Sequence, residues 1–331
     1  MMTLFLTGGT GFVGSHVARA FLASGWRVRA LVRRPDRAGL LPRGAELITG
    51  DLCDGATYRH QLEGCAAVIH CAATTRARSP LEFHRINVGG TETVAAAAAA
   101  GCPGAMFVHV SSQAAAGPCQ DGTPVRESDL PEPVSWYGRS KLESEATLAR
   151  HHPGPWCVIR PSVVYGAGDA GLLPMFAVIA RGVAPVPGGG RRRVQLLAAE
   201  DLAQVLFAAA QRPDLHGRRG FAAGDTVSMA DLVHELAGLR TPRARTVPFP
   251  DLAIRALGWL GSVRGALGRA PRPFNHDKAR EMLQTDWLCD GEPLLRDLRV
   301  TAATRWREGL RRTCRWYVEA GWLASRAFAG V

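Results

Sequence analysis

The stretch TGGTGFVG, residues 7–14, decides the fold of this chain. An apolar run precedes it, TLFLTG (3–8), which predicts a buried strand, and GSHVARAFLASG (14–25) follows it with a helical pattern. Glycines between a strand and a helix permit a tight turn, close approach of the backbone to a pyrophosphate, and tight packing of the helix on the strand. Free N–H groups at the start of that helix favour phosphate. We therefore predict that Gly8, Gly11 and Gly14 hold a dinucleotide.

Strand and helix patterns continue to alternate through the first half of the chain. Further strands are predicted at 27–33, 45–52, 66–73, 105–112 and 157–166, with helices between them. This alternation is typical of a parallel sheet covered by helices on both faces. The predicted fold is therefore α/β, a Rossmann-type doubly wound parallel sheet in residues 1–167. Residues 168–331 predict a smaller, mainly helical substrate-binding lobe at the C-terminal ends of the strands, with some segments returning to the sheet domain.

Composition narrows the class of function. The chain has 331 residues and a net charge of +11, but no recognition motif accompanies the charge, so no nucleic-acid partner is expected. A basic surface still suits anionic cofactors or an acidic membrane face. The 8 cysteines show no C-x-x-C pair and no Cys/His ligand spacing, which predicts reduced thiols, no metal site and a cytoplasmic location. No signal peptide and no transmembrane segment are expected from the pattern.

The end of the second predicted strand bears on the choice between NAD and NADP. Val32 stands there, at the position where an NAD site needs an acidic side chain for the ribose hydroxyls. Arg33 and Arg34 follow, and guanidinium groups bind a 2′-phosphate well. The sequence therefore favours NADP over NAD. Both arginines also fit an ordinary solvated surface in a chain rich in arginine.

The segment GDLCD (50–54) ends the third predicted strand. Asp51 could accept a hydrogen bond from the adenine amino group while Leu52 packs on the ring. An aspartate here equally fits a turn that caps the next helix. The sequence leaves both interpretations open.

A tyrosine and a lysine stand four residues apart in SWYGRSKLE (135–143). On a helix this spacing places Tyr137 and Lys141 on one face. An ammonium near a phenol favours the phenolate, so we expect Lys141 to lower the pKa of Tyr137 and to reach the ribose hydroxyls. Arginine is bulkier and planar and would not substitute well. That requirement explains why a chain with 40 basic residues, nearly all arginine, keeps a lysine there.

The fifth predicted strand ends in VHVSSQAAAGP (108–118). A serine hydroxyl at the C-terminal end of a strand can bind a substrate oxygen and stabilise developing negative charge. Neighbouring residues of a strand point to opposite faces, so only one of Ser111 and Ser112 should serve.

Taken together, these motifs resemble the extended short-chain dehydrogenase/reductase superfamily, in its NAD-dependent epimerase/dehydratase group. The resemblance rests on TGGTGFVGSH (7–16), GDL (50–52), VIHCAA (68–73), NVGGT (87–91), VSSQAAAG (110–117), YGRSK (137–141) and RPSVVYG (160–166). It implies Tyr137 as acid/base, Lys141 as its partner and Ser112 as the substrate-orienting hydroxyl. It also implies that the cofactor site includes Phe12, Val13, Ala72, Asn87, Pro161 and Val163.

Departures from the sugar-nucleotide epimerases point to another branch of this superfamily. Val163 stands where those enzymes have an asparagine, and Val32 where they favour an acidic residue. VRALVRRP (28–35) and VSSQAAAGP (110–118) are more similar to dihydroflavonol reductases and 3β-hydroxysteroid dehydrogenases, whose substrates are hydrophobic. The resemblance therefore implies an NADP- or NAD-linked oxidoreductase acting on a hydroxyl or ketone of a hydrophobic or polyol small molecule. The alternatives are an epimerase/dehydratase that oxidises a nucleotide sugar transiently, and a non-catalytic dinucleotide-binding subunit.

Two further expectations concern surfaces. The apolar segment DLAIRALGWLGSVRGALG (251–268) carries two arginines and predicts either a packed helix of the second lobe or an interfacial helix that contacts a membrane peripherally. Members of the family often dimerise, so the resemblance also implies a possible homodimer.

Overall fold

A computed structural model of the chain describes residues 1–267 and 274–330. Its strands are β1 (Thr3–Thr7), β2 (Arg27–Val32), β3 (Glu46–Thr49), β4 (Ala67–His70), β5 (Met106–Val110), β6 (Trp156–Pro161), β7 (Val163–Tyr165), β8 (Val183–Pro187), β9 (Arg193–Ala198), β10 (Arg219–Ala222), β11 (Asp225–Ser228), β12 (Arg245–Phe249) and β13 (Asp286–Trp287). Its α-helices are α1 (Phe12–Ala23), α2 (Pro80–Phe83), α3 (Gly90–Gly101), α4 (Trp136–His151), α5 (Leu173–Ile179), α6 (Ala199–Ala209), α7 (Met229–Leu239), α8 (Asp251–Leu267), α9 (His276–Met282), α10 (Glu292–Leu298) and α11 (Trp306–Glu319).

The main sheet contains seven parallel strands in the order β10-β6-β5-β4-β1-β2-β3. The chain winds outward from β1 in one direction through β2 and in the other through β4, so the strand order reverses between β1 and β4. In doubly wound sheets, ligands bind at the carboxyl ends of the strands beside such a reversal. The predicted Rossmann-type fold is confirmed, and the glycine turn after β1 lies at this point.

Helices cover both faces of the sheet because successive strand residues point to opposite sides. Leu4 and Leu6 of β1 pack in a buried cluster with residues of α1 and α6, whereas Phe5 packs in another with residues of α3 and α4. Buried strands of this kind are apolar on both faces, which explains the continuous apolar runs in the sequence.

The second half of the chain departs in part from the sequence prediction. The segment 157–166 is two strands rather than one, because β6 pairs with β10 in the main sheet whereas β7 pairs with β9 in a smaller sheet. That smaller sheet also contains β11 and β13, and β8 pairs with β12. Apart from β7, which lies within the predicted strand 157–166, none of these short strands was predicted. The third predicted strand is shorter than expected, at Glu46–Thr49.

A third buried cluster lies among α5, α7, α11 and the smaller sheet. Conversely, α6 and β10 come from the second half of the sequence but pack with the main sheet. The boundary at residue 167 stays a prediction. The apolar segment 251–268 forms α8 as far as Leu267, and residue 268 lies outside the described residues. Among the helices that the structure describes, none is both long and apolar enough to cross a bilayer.

Candidate active site

The turn after β1 brings the backbone close to the next strand loop. Gly8 has φ of +72°, and a Cβ there would lie 2.6 Å from the backbone nitrogen of Ala72. A Cβ on Gly14 would collide with the carbonyl oxygen of Gly8. Side chains at either position are therefore excluded by the turn itself.

Helix α1 starts with unpaired donors. Gly11 is its N-cap and offers no side-chain hydrogen bond, and the first turn has no acidic residue. The first N–H groups of a helix lack intrahelical partners, and they carry the positive end of the helix dipole. The first turn, which contains Phe12 and Val13, is therefore suited to bind an anion such as a pyrophosphate.

A loop from the second half of the chain lies against this helix start. The Nε2 of His16 is 2.8 Å from the carbonyl oxygen of Ala167. The ring of Phe12 lies beside Gly166 and Gly168, since a Cβ on either would fall within 4 Å of it. The 166–168 loop thus lies against the first turns of α1, next to the glycine turn.

The residues proposed to choose the nucleotide lie at the end of β2. Val32 is buried, whereas Arg33 and Arg34 are exposed. Arg34 forms an exposed ion pair with Asp36, with a nitrogen–oxygen distance of 3.2 Å. Arg33 lies near Cys53: burial raises the pKa of that thiol, and the charge of Arg33 is among those that oppose the shift. The contact of either guanidinium with a 2′-phosphate stays a prediction.

Asp51 acts in a turn in this structure. One of its carboxylate oxygens accepts a hydrogen bond of 2.9 Å from the Cys53 backbone. Leu52 is half-buried against α3, where a Cβ on Gly90 would come within 2.7 Å of it. Both residues lie at the carboxyl end of β3, and their contact with adenine stays a prediction.

Ser112 and Tyr137 are brought together at the carboxyl end of β5. The Ser112 hydroxyl accepts a hydrogen bond of 3.1 Å from the Ala114 backbone nitrogen, and it lies close enough to the Tyr137 phenol to lower the pKa that burial raises. Ser111 points the other way, and its hydroxyl donates to Glu145 over 2.5 Å. The two serines therefore separate as strand geometry requires, and Ser112 is the one beside the phenol.

Burial is the main influence on the Tyr137 phenol. It raises the pKa of Tyr137 to about 12, while Ser112 lowers that pKa and the Glu281 carboxylate raises it. Desolvation disfavours the charged phenolate, so burial opposes the effect expected from the Lys141 ammonium. The lowering of the phenol pKa by Lys141 stays a prediction.

Lys141 is 1% exposed and lies among groups from β4, β5 and α4. Burial lowers its pKa to about 8, while the charges of Glu145 and Cys71 oppose that shift. His70 and His109 lie on the other side of the ammonium, which contributes to lowering the pKa of each. Lys141 is thus a buried amine whose pKa lies close to neutral pH, and the carboxylate beside it is that of Glu145.

That carboxylate belongs to a buried network. Arg160 donates two hydrogen bonds to Glu145, of 2.9 and 2.6 Å, and Ser111 donates a third. Buried carboxylates are stable only when paired in this way. The network joins β5, α4 and β6 directly beneath Lys141.

Asn87 holds the loop after β4 against the tyrosine helix. Its side chain accepts from the Thr74 backbone nitrogen and donates to the Thr74 carbonyl and to the Ser140 hydroxyl, at 2.7, 3.1 and 2.9 Å. Pro161 ends β6, and Val163 follows with 39% exposure. These residues border the cleft above the sheet, and their contact with a cofactor stays a prediction.

No motif in the sequence indicated that α9 would contact the start of α4, the helix that carries Tyr137. Asp277 accepts hydrogen bonds from the backbone nitrogens of Trp136 and Tyr137, at 2.8 and 3.4 Å. Glu281 accepts from the Ser135 hydroxyl at 2.6 Å, and that hydroxyl in turn caps α4 through Gly138 at 2.9 Å. The only available signal was Ser135 as an N-cap residue, because α9 lies some 140 positions further along the chain.

The arrangement fits a dinucleotide. A glycine turn that excludes side chains precedes the start of α1, which has no side-chain cap, and α4 carries the buried Lys141 and the half-buried Tyr137. Among the residues that the structure describes, no group of three or more His, Cys, Asp or Glu side chains could hold a metal ion.

Residues 4–222 match the model of the NAD dependent epimerase/dehydratase family. The chain belongs to this family, and the resemblance seen in the sequence is confirmed. It is 33% identical to a ceramide reductase of Caulobacter vibrioides over 98% of this chain and 97% of that protein. It is 34% identical to a 4-hydroxy-2-methyl-3-oxo-4-farnesyl-3,4-dihydroquinoline-1-oxide ketoreductase of Stigmatella aurantiaca, over 85% of this chain and 91% of that one. The family is one of NAD(P)-dependent enzymes, so the prediction of an enzyme is also confirmed.

Solved structures share the fold at lower identity. A UDP-glucose 4-epimerase of Thermotoga maritima with UDP-glucose bound has a TM-score of 0.78 at 20% identity, covering 96% of this chain and 99% of that one. A dTDP-glucose 4,6-dehydratase of Streptomyces venezuelae with NAD bound has a TM-score of 0.75 at 22% identity, covering 98% and 100%. At these identities the likeness concerns the fold alone.

Proposed function

We propose that this chain is an NADPH-linked reductase that converts a ketone of a hydrophobic, long-chain substrate to an alcohol. The observation that carries the proposal is the placement of the Tyr137 phenol beside Ser112 at the carboxyl end of β5, where desolvation raises the pKa of the phenol to about 12. A phenol that holds its proton is set to donate it, which is the direction that carbonyl reduction requires. Two relatives support the substrate class, and they match 98% and 85% of this chain. One is named as a ceramide reductase and the other as a ketoreductase of a farnesylated quinoline.

In this proposal each residue has one task. When bound, reduced nicotinamide would supply the hydride for the carbonyl carbon and would leave as the oxidised form. Tyr137 gives its hydroxyl proton to the carbonyl oxygen, and Ser112 donates a hydrogen bond to the same oxygen as it becomes negative. Lys141 holds the ribose hydroxyls and contributes positive charge below the cleft. Gly8, Gly11, Gly14 and the first turn of α1 hold the pyrophosphate.

We propose NADP rather than NAD because of the charges at the end of β2. Arg33 is exposed there, Val32 is apolar, and among the described residues Arg33 forms no ion pair. A planar guanidinium suits a phosphate better than it suits ribose hydroxyls. Asp51 and Leu52 would contact the adenine. The solved neighbours named with NAD bound share only the fold.

Three other predictions from the sequence accompany this proposal: an alternative activity, a location and an oligomeric state. A transient-oxidation epimerase/dehydratase is the alternative, since the same three residues serve that chemistry. A cytoplasmic location agrees with the 8 cysteines, all of which are free thiols. A homodimer stays a prediction.

The test is an assay that follows loss of reduced nicotinamide with long-chain ketones. We expect turnover with NADPH in preference to NADH, and we expect Tyr137→Phe to lower kcat about 10²- to 10⁴-fold, the usual contribution of a positioned proton donor. Tyr165→Phe is the matched control, since the Tyr165 hydroxyl is buried without a hydrogen-bond partner among the described residues. An unchanged kcat for Tyr137→Phe would refute the role of the phenol. Substrate conversion without net loss of NADPH would indicate the epimerase/dehydratase alternative.

A further inference from the structure

Exposed large apolar side chains are concentrated on one helix. Leu252 is 77% exposed and Trp259 is 64% exposed, and both belong to α8. Three more exposed residues of this kind lie on the same helix: Leu257, Leu260 and Val263. Scattered surface hydrophobics are normal, but a contiguous set on one element marks an interaction surface.

The exposed set forms a stripe along α8. Leu252, Ala256, Trp259 and Val263 recur at the spacing of one helix face, and all four are exposed. The opposite face packs against the protein. Ile254 is fully buried, and Gly258 lets the backbone approach α9, since a Cβ there would lie 2.5 Å from the Cβ of Ala279. The exposed apolar stripe is therefore additional to the face that α8 buries.

Positive charge accompanies the stripe. Arg255 and Arg264 are exposed on α8, and Arg280 is exposed on α9 beside it. Asp251 pairs with Arg192, and Asp277 is buried against α4. Glu281 pairs with Lys278 at 2.6 Å and accepts a hydrogen bond from Ser135, so Lys278 adds no unpaired charge to the stripe. Within the described ranges 1–267 and 274–330, no carboxylate forms an ion pair with any of three arginines: Arg255, Arg264 and Arg280. An apolar stripe with flanking arginines complements a surface that is apolar inside and anionic outside.

The stripe is close to the site. Helix α8 packs on α9, and Asp277 of α9 accepts hydrogen bonds from the first residues of the tyrosine helix, Trp136 and Tyr137. A surface bound by α8 would therefore lie one helix away from the end of α4 that carries the phenol.

We propose that α8 is an interfacial helix that binds the surface of a bilayer containing anionic phospholipid. Its apolar stripe enters the boundary between headgroups and acyl chains, while Arg255 and Arg264 contact lipid phosphates. The proposal does not depend on the reductase activity, since it concerns binding of the protein to lipid without substrate.

The experiment is cosedimentation of the full chain with lipid vesicles. We expect binding to vesicles that contain phosphatidylglycerol, weaker binding to pure phosphatidylcholine, and a decrease with added salt. The double variant Leu252→Gln/Trp259→Gln should lose about tenfold or more in vesicle affinity. The double variant Arg255→Ser/Arg264→Ser should bind anionic vesicles with an affinity lower by about fivefold for each arginine removed. Its affinity for pure phosphatidylcholine should not change.

Matched variants control for composition. Leu47→Gln/Trp322→Gln removes one exposed leucine and one exposed tryptophan elsewhere, and Arg43→Ser/Arg59→Ser makes the same change of charge away from α8. Both should bind vesicles like the unaltered chain, and thermal unfolding verifies that each variant is folded. The proposal is overturned if the chain does not bind anionic vesicles, or if the α8 variants bind as well as their controls. It is also overturned if the α8 variants convert a dimer to a monomer, because a second copy would then cover the stripe.

Discussion

At the residue scale, the central feature is the difference in charge state between Tyr137 and Lys141. The spacing of the two residues placed them on one helix face, and at the start of α4 Lys141 is fully buried and Tyr137 is half-buried. The sequence did not show that burial would dominate both pKa values. Desolvation disfavours the charged form, so it raises the pKa of a phenol and lowers that of an ammonium. Lys141 is consequently the group of the pair that titrates near physiological pH.

We expect the rate of reduction to fall as the pH rises above about 8. The pKa of Lys141 is lowered to about 8, so its ammonium is lost above that pH, with about a tenfold decrease in kcat/KM for each further pH unit. Lys141→Arg should be slower at every pH but should lack this alkaline decline, because its guanidinium stays charged. The measurement is kcat/KM for both proteins from about pH 6 to about pH 10. A flat profile for the unaltered enzyme would contradict the assignment.

At the scale of elements, the start of the tyrosine helix is held by a distant helix. Ser135 caps α4 through its own hydroxyl, and α9 adds the carboxylates of Asp277 and Glu281. Carboxylates at a helix N-terminus interact favourably with its free N–H groups and dipole. Because Glu281 also raises the pKa of Tyr137, α9 affects the phenol as well as the helix that carries it.

Two N-cap substitutions separate these effects. Ser135→Ala and Ser228→Ala each remove a serine cap, from α4 and α7, and each should lower the free energy of unfolding by about 1 kcal/mol. Only Ser135→Ala should also lower kcat, since it removes the contact with Glu281 beside Tyr137. Urea unfolding and steady-state kinetics on both variants provide the comparison. If kcat changes equally in both, the α4 cap has no particular connection with the site.

The elements that sequence reasoning predicted best are those with local signals. The glycine turn, the buried strands of the main sheet and α4 each have a pattern within about 15 residues. The short strands of the second half do not, because β9 is defined by pairing with β7, β11 and β13, which lie far from it in sequence. The split of 157–166 at Ser162 follows from the same distant pairing.

At the scale of the whole molecule, buried histidines fill the layer beneath the site. His70 and His109 stack on each other at 5.2 Å and are almost fully buried. The hydroxyls of Thr7 and Thr91 are hydrogen-bonded to the ring of His70, and that of Ser144 is bonded to His109. Burial is the main cause that lowers the pKa of each ring. Both rings are therefore neutral at neutral pH. Nothing in the sequence marked these histidines, because each lies within an ordinary buried strand.

These histidines should make the fold less stable in mild acid. Burial lowers the pKa of His70 to about 3, whereas an unfolded histidine takes up a proton near 6.5. Between these values the unfolded chain binds more protons, so the free energy of unfolding decreases as the pH falls below about 6.5. The loss at about pH 5 is about 2 kcal/mol for His70 alone.

Urea unfolding at about pH 7 and about pH 5 measures this difference. His70→Asn should reduce it, and His234→Gln, which alters an exposed histidine on α7, should leave it unchanged. Equal reductions in the two variants would exclude His70 as the source.

The unequal access of the two lysines has a practical consequence. Of the 40 basic residues only Lys141 and Lys278 are lysines, and Lys141 is 1% exposed whereas the Lys278 side chain is 56% exposed. A reagent that acylates amines should therefore react with one side-chain amine, that of Lys278. A fluorophore attached there would report from α9, beside the tyrosine helix, without any engineered cysteine.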